Sequence, residues 1–194
     1  MAKLFFRYSA MNAGKSLDLL KTCFNYEERG QSVLLLTSAT DDRYGKNVIK
    51  SRVGIQREAI SVDENTNIVD LLDTVIRESE NGIDCVLCDE IQFFKKEHIH
   101  QLTEIVDFED IPVICYGLRS DYKLEPFEGS LHLMAIADEI EELKTICWCG
   151  KKATVNARLV DGKIVTSGEQ IVIGGNESYT SLCRKHFKEG KVKR

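Results

Sequence analysis

The stretch Ser9-Ala10-Met11-Asn12-Ala13-Gly14-Lys15-Ser16 limits the possible folds more than any other part of this chain. The apolar run Leu4-Phe5-Phe6 precedes it, and helix-forming residues follow. Strand, tight turn and helix in that order aim backbone N–H groups and a helix N-terminus at an anion. A lysine in the place of Lys15 reaches terminal phosphates, and a hydroxyl in the place of Ser16 suits a magnesium ion. Serine stands where the G-x-x-x-x-G-K-[ST] pattern has its first glycine. Ser9 therefore has to serve with a negative or modestly strained φ. The plain alternative is a strand-to-helix turn with an exposed lysine, but the flanking strand and helix favour a bound nucleotide.

The next elements extend this unit. Residues 15–29 read as a helix with Leu17, Leu20 and Phe24 on one broad apolar face, stopped by Gly30. Residues 33–37 are a second buried strand. This is the start of a mostly parallel, helix-flanked α/β domain. Residues 38–60 are polar and without period, a long loop whose cations Arg43, Lys46, Lys50, Arg52 and Arg57 either lean over phosphates or are simply solvated. Residues 67–80 form a second helix. Residues 85–90 read as a strand ending in Asp89 and Glu90. An apolar strand ending in an acid is where a phosphate-loop protein keeps its magnesium carboxylate, and Asp89 fits that part. Glu90 points the other way on a strand and is free to act as a general base. Cys85 and Cys88 face opposite ways on the same reasoning and read as core thiols rather than a metal pair.

Gln92-Phe93-Phe94 opens the next connection, with aromatics able to stack on a base. Residues 95–106 read as a helix on which His98 and His100 share no face and belong to the surface. Residues 113–118 are a fourth strand, 131–137 a short helix, and 139–145 a fifth strand. Between them Tyr122 and Phe127 lie near a ligand or beneath a loop.

Composition then changes. Cys147-Trp148-Cys149-Gly150 is answered by Cys183-Arg184-Lys185-His186, three thiols and an imidazole, which is a full ligand set for structural zinc. Gly150 allows the sharp turn that a C-x-C pair needs. The segment between is too small for a good core. It reads as a hairpin about Asp161-Gly162 and a loop over 170–179. The division expected is residues 1–145 for nucleotide binding, 146–190 for the zinc-stapled unit and 191–194 for a basic tail.

The chain has 194 residues, with 26 Lys and Arg against 31 Asp and Glu, a net charge of -5. That balance argues against a nucleic-acid backbone as partner. No apolar run is long enough for a membrane span, and no signal-peptide pattern is present. Seven cysteines, an odd number, argue against a disulfide scaffold, so a cytoplasmic protein is expected.

Four segments taken together carry a specific resemblance. They are the stretch at 9–16, Asp89-Glu90-Ile91-Gln92-Phe93, Cys115-Tyr116-Gly117-Leu118-Arg119 and Val172-Ile173-Gly174-Gly175-Asn176-Glu177-Ser178-Tyr179. In this order they resemble the zinc-containing, P-loop type of thymidine kinase, over residues 1 to about 190. Serine at position 9 is shared with the enterobacterial branch.

The resemblance implies a RecA-like P-loop sheet with a small C-terminal lasso domain. It implies that Ser9, Ala10, Met11, Asn12, Ala13, Gly14, Lys15 and Ser16 wrap ATP, helped by Asp89, Glu90, Ile91 and Gln92. Ser16 and Asp89 would hold magnesium. Lys15 and Arg43 would act on the phosphoryl group, and Glu90 would take the proton from the thymidine 5′-hydroxyl. Met11, Phe93, Leu118, Tyr122, Phe127, Ile171, Val172, Ile173, Gly174, Gly175 and Tyr179 would line the nucleoside pocket. Cys147, Cys149, Cys183 and His186 would bind zinc, where the animal enzymes have C-x-x-C and a final cysteine. A homotetramer, feedback inhibition by thymidine triphosphate and use of deoxyuridine as a second substrate are also implied. The other readings are a P-loop ATPase or switch protein with a zinc partner module and, more remotely, a zinc-stapled nucleic-acid module.

Overall fold

Parallel strands that are apolar on both faces require cover on both sides, and this chain supplies it unequally. The computed structural model describes residues 1–41, 45–175 and 177–193. The first half runs β1 (Leu4–Ser9), α1 (Lys15–Glu27), β2 (Val33–Ser38), β3 (Val48–Lys50), β4 (Gln56–Glu58), β5 (Ile60–Val62), α2 (Ile68–Glu78) and β6 (Cys85–Cys88). After a 3-10 turn at Ile91–Phe93 come α3 (Lys96–Phe108), β7 (Val113–Leu118), α4 (Glu128–Ile136) and β8 (Glu139–Glu142). The C-terminal part holds β9 (Thr145–Ile146), β10 (Lys152–Ala153), β11 (Val155–Val160), β12 (Lys163–Val165), β13 (Tyr179–Leu182) and α5 (Arg184–Lys188).

Six strands form one sheet in the order β5-β2-β6-β7-β1-β8, and every pairing in it is parallel. Strand alternation sorts its core into two layers. Leu4, Phe6, Val86, Cys88, Val113 and Cys115 face α2, α3 and α4. Cys85, Leu87, Ile114 and Tyr116 face α1 through Leu19, Leu20 and Cys23. Cys85 and Cys88 are thus core thiols on opposite faces, and burial pushes the Cys85 thiol up to about 12. All seven cysteines are free.

A second body of structure follows β8. β11 pairs antiparallel with β12 and with β13, and β9 pairs with β10. A separate apolar cluster of Cys147, Ala153, Ala157, Leu182 and Cys183 fills it. The hairpin expected about Asp161-Gly162 is there, with both residues at positive φ, the conformation of a tight hairpin turn.

Several expectations need correction. The span 38–60 is not one loop: β3 and β4 pair antiparallel as a short hairpin and β5 joins the main sheet. His98 is not on the surface but 3% exposed. Its Nδ1 accepts a hydrogen bond from the Lys95 backbone N–H at 3.1 Å, so it closes the start of α3. Tyr179 belongs to β13 rather than to a loop. The strand before the two acids ends at Cys88, so Asp89 and Glu90 are separated by a turn, not by strand alternation.

Candidate active site

Ligands of open parallel sheets bind beyond the carboxyl ends of the strands, and here that edge carries the informative residues. β1 ends at Ser9, which still pairs with Leu118 of β7. The chain turns through Asn12 at φ 66° and Gly14 at φ 81° before entering α1. The left-handed positions therefore fall at Asn12 and Gly14, and Ser9 keeps a strand conformation. Among the described residues, no side chain caps the N-terminus of α1. Its first N–H groups are left for an anion, as the motif requires.

Two strands away, β6 delivers Asp89 and Glu90. Asp89 is 4% exposed. Its Oδ1 accepts the Glu90 backbone N–H at 3.0 Å, and the Ser16 hydroxyl hydrogen-bonds to the same carboxylate. Burial and then the adjacent Glu90 charge push the Asp89 carboxyl up to about 7, against the pull of Ser16 and Lys15. A buried carboxylate beside a P-loop hydroxyl suits a hard divalent cation, whose charge would offset that burial. Glu90 sits at φ 51°, ψ 37°, a conformation that costs a non-glycine residue and is typical of functional positions. Glu90 lines the cavity. Gln92 holds it there: Nε2 donates to Glu90 Oε2, and Oε1 accepts the Leu118 N–H at 3.0 Å.

Phosphate loop and acids open into one cavity of about 410 Å³. Of the residues expected at the nucleotide, those at 11–16 line it, with Glu90 and Gln92. Ser9, Ala10, Asp89 and Ile91, also expected at the nucleotide, do not line it. Ile91 is fully buried among the core residues over α3, so its side chain is structural. Of the residues expected at the nucleoside, all but Gly175 line the cavity. Phe93 and Phe127 meet edge to face at 5.8 Å. Arg43 lies outside the described residues.

Residues 168–175 have no regular structure, Gln170 to Gly174 among them lining the cavity, and side chains tie them down. The Tyr122 hydroxyl donates to the Glu169 carbonyl at 2.9 Å, and the Tyr179 hydroxyl to the Val172 carbonyl at 2.8 Å. Arg158 lies 5.4 Å from the Tyr122 ring centre. Lys50, Arg52 and Asn156 also line the cavity; Lys50 and Arg52 come from the stretch whose cations the sequence offers to phosphates, whereas Asn156 is not expected there. Nothing in an aperiodic stretch singles out Lys50 and Arg52 from its other cations. Asn156 has no local signal, since its partners are distant in sequence.

At the far end of the C-terminal part, Cys147, Cys149, Cys183 and His186 place one donor atom each within 4.8 Å of the others. His186 Nδ1 is 3.4 Å from Cys147 Sγ and 3.4 Å from Cys183 Sγ. Tetrahedral zinc with thiolate bonds near 2.3 Å sets sulfur atoms about 3.8 Å apart, so the donor set fits that metal. Burial opposes ionisation of Cys147, but hydrogen bonds from the backbone of Cys149 and Cys183 and from His186 bring its thiol down to about 6. Gly150, at φ 82°, makes the sharp turn after the C-x-C pair. The Trp148 indole stacks on the His186 ring at 4.1 Å and 14°.

Comparison with known proteins agrees with this site. The family profile described as Thymidine kinase matches residues 2–187. A thymidine kinase of Shewanella oneidensis is 53% identical over 190 residues, covering 97% of this chain and 98% of the relative. One from Francisella tularensis subsp. holarctica is 53% identical over 196 residues, covering 98% of each. One from Lactococcus lactis subsp. lactis is 47% identical over 188 residues, covering 96% of this chain and 97% of the relative. With the phosphate loop, paired acids and four-ligand cluster in place across that whole length, the chain belongs to the thymidine kinase family.

Proposed function

We propose that this chain transfers the γ-phosphoryl group of ATP to the 5′-hydroxyl of thymidine, with deoxyuridine as a second substrate. The observation that carries the reading is one cavity that joins a phosphate loop, the Glu90 carboxylate and an aromatic, loop-covered chamber. Phosphoryl transfer needs alignment and charge stabilisation more than covalent help. Backbone N–H groups at the start of α1 and the Lys15 ammonium bind and orient the phosphates, and Arg43 is proposed to act beside them. Magnesium, held by Ser16 and Asp89, would offset phosphate charge when bound. Glu90, kept in place by Gln92, orients the 5′-hydroxyl and accepts its proton.

Phe93, Phe127 and Tyr179 enclose the nucleoside, while residues 171–175 supply backbone groups to the base and exclude water. One methyl group is worth about 1–3 kcal/mol in such a pocket, too little to reject deoxyuridine strongly. In this reading residues 1–145 bind ATP, and residues 146–190 form the zinc-stapled unit that closes over the nucleoside. Residues 191–194 are a basic tail.

Feedback inhibition by thymidine triphosphate fits the same cavity, since base and phosphates of one molecule can reach both ends. A homotetramer and kinship with the enterobacterial branch are proposed on the family resemblance. A cytoplasmic location accords with the free thiols. Among the described residues, no helix is long and apolar enough to cross a membrane.

The test is ATP turnover with magnesium and thymidine, deoxyuridine, deoxycytidine or no nucleoside, for wild type and Glu90→Gln. Thymidine monophosphate formed by wild type and reduced about a hundredfold or more in the variant is the expected result. Nucleoside-independent ATP hydrolysis without a nucleotide product would move the assignment to a P-loop ATPase or switch protein.

A further inference from the structure

Both peptide groups of Met11, at the bend of the phosphate loop, are held by side chains from the C-terminal sheet. Asn156 Oδ1 accepts the Met11 N–H at 2.7 Å. The Ser181 hydroxyl donates to the Met11 carbonyl at 2.6 Å. Asn156 on β11 and Ser181 on β13 are register partners, so the pair grips the peptide from adjacent strands. Asn156 is 5% exposed and Ser181 8%, which shields both bonds from water. The Thr145 hydroxyl donates to the next carbonyl, that of Asn12, at 3.2 Å. The residue following Met11 is the left-handed Asn12, a conformation that persists only where its surroundings fix it. Asn156 Nδ2 also donates to the Ser120 carbonyl at 3.3 Å, on the nucleoside side of the cavity.

We propose that Asn156 and Ser181 are positioning residues for the nucleotide. They fix the Met11 peptide and hold the loop through Asn12 and Gly14 in its anion-binding shape before ATP arrives. The C-terminal sheet thereby does a second job: besides carrying the loop across the nucleoside, it sets the affinity of the phosphate site. Preorganised N–H groups bind phosphate without an ordering cost, and a loosened loop has to be ordered by the ligand. This inference rests on the kinase reading only for the identity of the nucleotide.

Ser181 does not line the cavity, so Ser181→Ala removes the grip without touching ligand. The test uses the full-length, zinc-loaded chain as wild type, Ser181→Ala, Ser181→Thr and Ser181→Ala/Asn156→Ala. Equilibrium binding gives Kd for magnesium ATP and for thymidine separately, and hydrogen exchange follows the amides of residues 10–16. Loss of one buried hydrogen bond predicts about a tenfold rise in Kd for ATP in Ser181→Ala, and under about a threefold rise for thymidine. Faster exchange in the loop should accompany it, and Ser181→Thr, which keeps the hydroxyl, should restore both.

Unchanged ATP affinity and unchanged loop exchange in the folded, zinc-loaded double variant overturn the proposal. Equal loss of ATP and thymidine affinity in Ser181→Ala, or loss not restored by Ser181→Thr, overturns it as well by revealing a general structural role. A wild-type protein that binds ATP but does not phosphorylate thymidine would sink the kinase reading instead. The exchange measurement would still decide the loop grip.

Discussion

Gly129 at the start of α4 lies so close to the turn before α3 that a Cβ would stand 2.3 Å from the Ile91 carbonyl oxygen and 2.9 Å from that of Phe94. Backbone atoms cannot step aside as a side-chain tip can. Gly129→Ala is therefore expected to cost about 3 kcal/mol, read as a lower urea midpoint with unchanged slope. The same close approach holds Phe93 against Phe127, so the substitution also presses on the nucleoside chamber. Residues of this kind are only partly legible in a sequence. The 9–16 stretch declares itself because its chemistry is contiguous, and Asp89 with Glu90 because an acid ends an apolar run. Gln92, expected at the nucleotide, also orients Glu90 while bonded to Leu118 of a different strand. Asn156 gave no signal at all, because its bond to Met11 spans 145 positions.

His98 shows what one misplaced residue does to the reading of an element. Its spacing from His100 shows only that the two face different ways, and it happens to be the one turned inward. Burial lowers its pKa, outweighing the Thr66 backbone and the nearby Glu97, Asp63 and Glu128 charges. A histidine depressed in the folded state stabilises above its unfolded value of about 6.5 and loses that contribution as pH falls through the folded value. Melting temperature should therefore drop on acidification through and below about pH 6.5 more steeply in wild type than in His98→Gln. Parallel pH profiles for the two would remove His98 from the account.

Helices were otherwise legible as elements, because α1, α2 and α3 repeat apolar residues at the helical period over eleven residues or more; the face of α1 is not the expected one, since Leu19, Leu20 and Cys23 are buried while Leu17 and Phe24 are exposed. The hairpin of β3 and β4 was not. Its strands have three residues each, and all of Gln56–Glu58 is exposed, so no alternation could mark it.

Across the whole molecule, the parallel sheet could be expected from its apolar strands, but not the order in which they sit. Placing β7 between β6 and β1 is what sets the acids opposite the phosphate loop. Only pairing over long sequence separations decides that. The C-terminal part has its own small apolar cluster and, beside it, four residues that could hold a metal ion. Removing zinc with a chelator should disorder residues 147–187 and leave most helical circular dichroism in place, because the two large apolar layers lie elsewhere. Loss of all structure in one transition would contradict that division of stability.

Trp148 makes this measurable without a label. It is the only tryptophan in the chain, and its indole lies flat on the His186 imidazole, one of the four candidate metal donors. Excited at the red edge of ultraviolet absorption, where tyrosine does not absorb, the native protein therefore emits from one corner, at the staple, and not from the sheet that carries the phosphate loop. Quenching and colour of that light should follow the metal titration. A melting curve recorded by fluorescence should report the midpoint of the small unit, while calorimetry on the same sample reports the large one.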